Sequence, residues 1–355
     1  MRIVYSSFDG RFSDSPRAIF ELLRQRHPGY EHVWLAHPDH YYAFPSWAER
    51  VSARSAASRR LLASADFVVA NTYILCEWDK RPDAVYLQTW HGTPYKRIHF
   101  DVPWSPPGAL DAPNADIARW DWLLSPNALS TDVLRGAFAY SGNMLETGYP
   151  RNDVLLSRGR DDVRARVRAE LGIPEGTTAV LYTPTWRDDE YFPPGRPDIP
   201  VALEVDDFVK RLGEDHCLLV RAHYNLTSRL VTEDSDVVRN VSHHADVAEL
   251  YLAADMMVTD YSSTMFDFAV TGKPLLFFTY DFEHYRDVLR GFYFDFELEG
   301  PGPMLATTGE LVDAILDIGD VRAHYAPAYE AFRHRYCHLD DGRATERVID
   351  HFWPA

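Results

Sequence analysis

MMVTDYSSTMFDFAVTGKPLLFF, residues 256–278, decides the fold class. An apolar run at 256–259 ends in the polar turn Asp260-Tyr261-Ser262-Ser263; a short amphipathic segment follows, then Gly272 and a second apolar run at 274–278. Strand, turn, helix, strand in so short a span reads as a βαβ unit, whose crossover makes the two strands parallel. Ser262 and Ser263 fall where the helix begins. Unsatisfied backbone N–H groups and the positive end of the helix dipole make that terminus a place for an anion such as a diphosphate, and serine hydroxyls add donors. Serine is equally the ordinary N-cap residue, so a plain cap remains open. Asp260 and Asp267 could hold the turn, orient a histidine or bond substrate hydroxyls.

The pattern repeats outward in both directions. In the first half, strands are expected at 2–5, 32–36, 67–71, 84–89, 122–125 and 144–147; in the second, at 179–182, 217–221, 256–259 and 274–278. Amphipathic, Ala/Leu/Arg-rich segments lie between several of them, the signature of parallel α/β sheets. Pro16 suits the first turn of a helix to about residue 26, with Asp14-Ser15 as its cap, and 161–171 reads as a charged helix. The segment 188–200, DDEYFPPGRPDIP, is too rich in Pro and acid to be regular. The boundary falls near 149–156, giving domains 1–152 and 153–355, with a C-terminal helix able to pack back on the first. No GxGxxG follows the first strand. Two successive α/β units of this size point to two facing Rossmann-like domains with the ligand in the cleft between them, the GT-B architecture.

Bulk numbers narrow the function. At 355 residues the chain favours two domains over one. With 46% apolar and 25% charged residues it reads as globular, and no apolar run approaches the roughly 18 residues of a membrane span. The start MRIVYSSFDGRF lacks the basic lead and apolar stretch of a secretory signal, so a cytoplasmic protein is expected. Cys76, Cys217 and Cys337 stand apart with no CxxC pair, which suggests neither disulfides nor zinc. The net charge of -17 argues against nucleic acid as a partner. That charge is uneven: residues 1–150 hold 15 Lys+Arg against 16 Asp+Glu, leaving 21 against 37 of the chain's 36 and 53 for the rest. If one half approaches an anionic membrane, the nearly neutral first half is the better candidate, with 50–60 its most basic part.

Four strings carry residues suited to chemistry. In QTWHGTPYKR, His91 follows the strand 84–89 at its carboxyl end, where open parallel sheets bind ligands. A histidine there can take a proton from an attacking hydroxyl, while Gly92 and the following Thr93 let a substrate approach the backbone. In LLVRAHYNL, Arg221 and His223 stand at the end of a second-half strand, placed to face His91 across the cleft. One imidazole would serve as base and the other would bond a phosphoryl oxygen. In YTPTWRDD, Thr185 and Arg187 stand close together, and Arg187 could clamp a phosphate bidentately; in GYPRND, Arg151 and Asp153 follow a strand at the domain junction. For each histidine a satisfied core residue, and for each arginine a structural Arg–Asp pair, is the competing reading. There is no P-loop, HExxH, GxSxG or trustworthy DxD-like metal pair, so helix termini and basic side chains would have to neutralise phosphates.

Taken in order, DGRFSDSPRAIFELL, LLASADFVVANT, YLQTWHGTPYKRI, FAYSGNMLETGYPRNDVL, VLYTPTWRD, LLVRAHYNL, DVAELYLAADMMVTDYSSTMFDFAVTGKPLLFFTYDFEHYRDVLRGFYFDFE and LDDGRATERVI cover about residues 8–350. The series closely resembles the CDP-glycerol glycerophosphotransferase family of bacterial teichoic acid and capsule synthesis. The resemblance implies a GT-B fold, CDP-glycerol as donor and CMP as leaving group. It implies a hydroxyl of a lipid-linked or growing polyol-phosphate chain as acceptor. It makes His91 the base and His223 a phosphate ligand or partner, with Ser262 and Ser263 the family's serines. Where the family often has proline after the second histidine, this chain has Tyr224. No obligatory cofactor is expected, though a divalent metal could assist, and the expected place of work is the inner face of the cell membrane, peripherally. A CDP-ribitol enzyme, a GT-B nucleotide-sugar transferase and a non-catalytic nucleotide-binding relative are the alternatives. Donor exchange, release of UDP, and binding without turnover would distinguish them.

Overall fold

The computed structural model describes residues 1–8, 10–103, 105–185, 187, 202–222 and 235–354. Contacts divide the chain into two compact units. The first comprises Met1–Thr93, Ile98–Ser157 and His338–Ala355; the second comprises Pro94–Arg97 and Arg158–Cys337.

The first unit is built on a seven-stranded sheet in the order β3-β2-β1-β4-β5-β6-β7. Its strands are β1 Arg2–Ser6, β2 Glu31–Ala36, β3 Arg50–Ser52, β4 Phe67–Ala70, β5 Val85–Gln88, β6 Trp122–Ser125 and β7 Asn143–Glu146, all pairing in parallel. Both faces are covered, as a parallel sheet requires. Ile3, Tyr5, Trp34, Val69 and Leu87 pack with Ile19, Phe20 and Leu23 of the helix Asp14–Arg26 on one side, joined by Val348 and Ile349 of the last helix, Ala344–Phe352, and by Trp353 just after it. Val4, Val68 and Tyr86 pack with Leu62, Leu134 and Phe138 on the other.

The second unit holds a six-stranded parallel sheet, β10-β9-β8-β11-β12-β13. Its strands are β8 Thr178–Thr183, β9 His216–Val220, β10 Val238–Asn240, β11 Met256–Thr259, β12 Leu275–Phe278 and β13 Met304–Leu305. In both sheets the strand order reverses once, between β1 and β4 in the first and between β8 and β11 in the second. Such a switch point opens a crevice at the carboxyl ends of the strands, where ligands of this architecture bind.

Every strand expected from the sequence is present within two residues at each end. Three short edge strands, β3, β10 and β13, were not expected. They carry too few apolar residues to stand out and are recruited by pairing with a neighbour. The first helix begins at Asp14, so Ser13 holds the cap position rather than the Asp14-Ser15 pair, and its side chain makes no capping bond. The expected loop 188–200 lies outside the described residues. No helix among the described residues is long and apolar enough to cross a membrane.

Candidate functional site

In the first unit the switch point lies between the ends of β1 and β4, and β5 runs alongside β4. Beyond β5 the chain turns sharply: Trp90 takes φ of 54°, a left-handed conformation that is costly for a bulky side chain and that collects at functional turns. Neighbouring groups hold it there. The Trp90 N–H donates to Gln88 Oε1 at 2.9 Å, and its ring packs edge-on against Phe138 at 4.7 Å and Tyr73 at 5.6 Å. The next residue is His91, partly exposed, with Nδ1 2.6 Å from the backbone oxygen of Asn71 at the end of β4. A carbonyl can only accept, so Nδ1 carries a proton, and the neutral form of the ring has its lone pair on Nε2. Asn71 is fully buried, and its Oδ1 accepts the Phe8 N–H at 3.1 Å; the Phe8 ring lies edge-on to His91 at 5.4 Å. Gly92 and Thr93 follow, both buried. The next four residues count with the second unit: Tyr95 stacks on Phe292 at 4.5 Å and accepts the Tyr293 N–H, and the Arg97 N–H donates to the Gly291 carbonyl.

Arg151 and Asp153 serve other ends of the same unit. Arg151 is buried, donates to Asp14 Oδ2 at 3.0 Å and lies over the Tyr149 ring at 4.5 Å. Asp14 itself holds φ of 63° at the first helix's start. Asp153 accepts from the Ala344 and Thr345 N–H groups at 3.0 and 2.7 Å, which ties the start of the last helix to the GYPRND turn. Burial pushes its carboxyl above the ordinary value against those donors.

In the second unit the switch point brings β8 and β11 side by side, Thr183 in register with Thr259. Asp260, almost fully buried, accepts the Thr185 N–H, the Tyr261 N–H and Arg187 Nη1. Arg187 also forks onto Asp281, Nε to Oδ2 at 2.6 Å and Nη2 to Oδ1 at 2.8 Å, while Nη1 reaches the Thr185 carbonyl. Tyr261, Tyr280 and Tyr285 surround it, each ring centre near 5 Å from the guanidinium carbon. Burial pulls the guanidinium's proton affinity down, but the two carboxylates outweigh it and leave the pKa raised. Burial, then Asp281 and Asp260, push the Tyr261 phenol far up, so its hydroxyl stays protonated and donates to Asp281. Thr185 Oγ1 is buried with no hydrogen-bond partner among the described residues.

The remaining expected residues lie around this group. Ser263 caps the short helix Thr264–Ala269 without a side-chain bond, and Ser262 Oγ accepts the Thr264 N–H at 3.3 Å. Asp267 is buried on that helix. Arg221, at the end of β9, donates to the Val241 and His244 carbonyls. His223 lies outside the described residues.

The structure therefore gathers Thr185, Arg187 and Asp260 into one cluster, sets Ser262 and Ser263 directly after it in the chain, and keeps His91 with Gly92 and Thr93 in a separate unit. Arg151 and Asp153 each bond within the first unit instead. Sequence reasoning overlooked Asn71 and Gln88 beside His91, and Asp281 beside Arg187. A signal existed for two of them: Asn71 and Asp281 are polar residues just past the carboxyl ends of β4 and β12, the position that singled out His91.

Comparison with known proteins agrees with the motifs. A family model described as CDP-Glycerol:Poly(glycerophosphate) glycerophosphotransferase matches residues 1–354. The teichoic acid poly(glycerol phosphate) polymerase of Bacillus subtilis (strain 168) is 35% identical over 365 residues, which cover 98% of this chain and 48% of the polymerase. The teichoic acid glycerol-phosphate transferase of Staphylococcus aureus (strain NCTC 8325 / PS 47) is 35% identical, with 98% of this chain and 91% of the transferase covered. A solved structure of the wall teichoic acid polymerase TagF, a histidine-to-asparagine variant soaked with CDPG, superimposes with a TM-score of 0.89. It is 34% identical, with 99% of this chain and 88% of that one covered. The chain spans about half the length of the Bacillus subtilis and Staphylococcus epidermidis polymerases that it matches. Two Rossmann-like parallel sheets, the ordered motifs and a match along the whole chain converge: the protein belongs to the CDP-glycerol:poly(glycerophosphate) glycerophosphotransferase family.

Proposed function

We propose that this chain transfers glycerol phosphate from CDP-glycerol to a hydroxyl of a lipid-linked or growing polyol-phosphate acceptor, with His91 as the base. The acceptor oxygen attacks the phosphorus that bears glycerol. Its proton passes to His91 Nε2, the P–O bond to the cytidylyl phosphate breaks, and CMP leaves with that electron pair. The observation that carries this reading is the tautomer. The Asn71 carbonyl holds a proton on Nδ1, so in the neutral ring that general-base work needs the lone pair is on the other nitrogen.

On the donor side, the reading gives Arg221, His223 and the Ser262-Ser263 turn to the diphosphate, with Thr185, Asp260 and Asp267 shaping the pocket for the rest of the donor. Arg187 has both edges committed to carboxylates and the Thr185 carbonyl, which supports a role in rigidifying Asp260 over one in clamping phosphate directly. Positioning by these groups supplies much of the rate, with no obligatory cofactor and a divalent metal as an optional aid. The acceptor's lipid places the enzyme at the inner membrane face as a peripheral protein.

The test is CMP release from CDP-glycerol with a short polyol-phosphate acceptor, wild type against His91→Ala at equal folded concentration. Acceptor-dependent release that falls by about 10²–10⁴-fold in the variant supports the base. Equal rates remove His91 from that role, and release from CDP-ribitol alone keeps the reaction type and changes the donor.

A further inference from the structure

Gln88 is the last residue of β5 and is fully buried, in a strand that otherwise presents apolar side chains to the core. Its side-chain amide makes two bonds. Oε1 accepts the Trp90 N–H at 2.9 Å, and Nε2 donates to the Thr72 carbonyl at 3.1 Å. The Trp90 N–H can only donate and the Thr72 carbonyl can only accept, so both partners independently fix which end of the amide is oxygen.

These two partners flank the histidine's own bond. Trp90 precedes His91, and Thr72 follows Asn71, whose carbonyl receives His91 Nδ1–H at 2.6 Å. Gln88, Trp90, His91, Asn71 and Thr72 thus form a closed ring of covalent and hydrogen bonds. The regular ladder ends just before it: Ala70 is in register with Gln88, and the Ala70 carbonyl accepts the Thr89 N–H at 2.7 Å. The Gln88 amide carries the β4–β5 pairing past its last rung, across the place where Trp90 adopts its left-handed turn. A neutral amide does this without adding charge beside the imidazole, whereas an acidic or basic side chain would shift the balance between its protonated and neutral forms.

We propose that Gln88 is a positioning residue for His91. Its one buried amide locks the Trp90 turn to the Asn71-Thr72 backbone, and so sets both the tautomer and the direction of the imidazole. The inference rests on the reading of His91 as the base, and deepens it. Without the amide, the Trp90 N–H and the Thr72 carbonyl lose their common partner, the turn relaxes toward an unstrained φ, and the Asn71 carbonyl no longer meets Nδ1 at a fixed angle.

The experiment uses the full chain labelled with ¹⁵N-histidine, comparing wild type, Gln88→Leu and Gln88→Glu. Imidazole ¹⁵N shifts report the His91 tautomer, assigned by its loss in His91→Ala, and CMP release reports turnover. Wild type should show the Nδ1–H form. Gln88→Leu should show a mixture of tautomers, with kcat down by about 10²-fold and a much smaller change in KM for CDP-glycerol, as expected of a misaimed catalytic group. In Gln88→Glu the protonated acid can still make both bonds, while the carboxylate cannot donate to Thr72. Its activity relative to wild type should therefore fall as pH rises. A folded Gln88→Leu protein that keeps the Nδ1–H tautomer and a kcat within about twofold overturns the proposal, whatever its melting temperature. Should Gln88→Leu fail to fold, a Gln88→Glu profile parallel to wild type overturns it equally. If His91→Ala releases CMP at the wild-type rate, the base assignment is lost; the ring spectra still decide whether Gln88 positions His91.

Discussion

The two switch points solve the same problem with opposite chemistry. In the first unit the Nδ1 of the histidine proposed as the base is bonded to the Asn71 carbonyl, and the neutral amide of Gln88 braces the strained turn beside it. In the second, one guanidinium is held by two carboxylates and ringed by three tyrosines. A group that must exchange a proton is best held by partners that do not change its charge. A group that must stay put is best held by ions at close range in a dry place, where removing either partner is expensive. Under the proposed function proton transfer belongs to the first region and scaffolding to the second, and each part of that reading can be broken separately.

The largest effect is expected at His91. His91→Ala should lower acceptor-dependent CMP release by about 10²–10⁴-fold while the unfolding midpoint in urea hardly moves, because the ring is partly exposed. A variant that loses activity only in proportion to lost folded protein would make the histidine a structural residue like any other.

Arg187→Met should show the reverse pattern. Removing the cation leaves the buried Asp260 and the half-buried Asp281 carboxylates without their counter-ion, at a cost of about 3–5 kcal/mol in urea unfolding. Replacing Asp281 by Asn in the same background should recover part of that loss, since one of the two stranded charges is then gone. A cost under about 1 kcal/mol for the single variant would mean that water reaches the cluster and that its ions are no scaffold.

Much of this contrast was hidden in the sequence for a physical reason. Strands such as Trp122–Ser125 and Met256–Thr259 are legible because burial on both faces of a parallel sheet demands an unbroken apolar run. His91 and Asp260 are legible because they stand where such runs stop. The partners are not. Nothing near Arg187 in the chain says that it will fork onto Asp281, 94 residues away, instead of a ligand phosphate. Arg151 likewise finds Asp14 across 137 residues. Gln88 reads as a polar interruption at the end of an apolar strand, and its meaning appears only when Thr72, just past the end of the neighbouring strand, is seen beside it.

A third test uses pH and stays in the first unit. Asp116 is buried and accepts from the Ile74 N–H, the Tyr86 hydroxyl and the Trp120 indole, yet burial outweighs these donors and pushes its pKa up to about 6. The folded state therefore binds this proton more tightly than the unfolded chain does. Stability from this group is fully present below the unfolded value near 3.8 and is lost as pH rises through about 6, a change of about 3 kcal/mol at most. Asp116→Asn stays neutral and should flatten that part of the stability profile. An unchanged profile would place the titration on another group.

The smallest effect separates two serines that sequence treats alike. Ser55 caps the helix Ala56–Ser64 in a reciprocal box: its hydroxyl accepts the Ser58 N–H, and the Ser58 hydroxyl accepts the Ser55 N–H. Ser55→Ala should cost about 1 kcal/mol. Ser263 occupies the same formal position before Thr264–Ala269 but has helical backbone angles and makes no capping bond. Ser263→Ala should therefore leave stability within about 0.5 kcal/mol of wild type and act, if the hydroxyl serves the donor's diphosphate, by raising KM for CDP-glycerol. Equal destabilisation by the two substitutions would show that Ser263 is a cap after all, and the reason for giving its hydroxyl to the ligand would be gone.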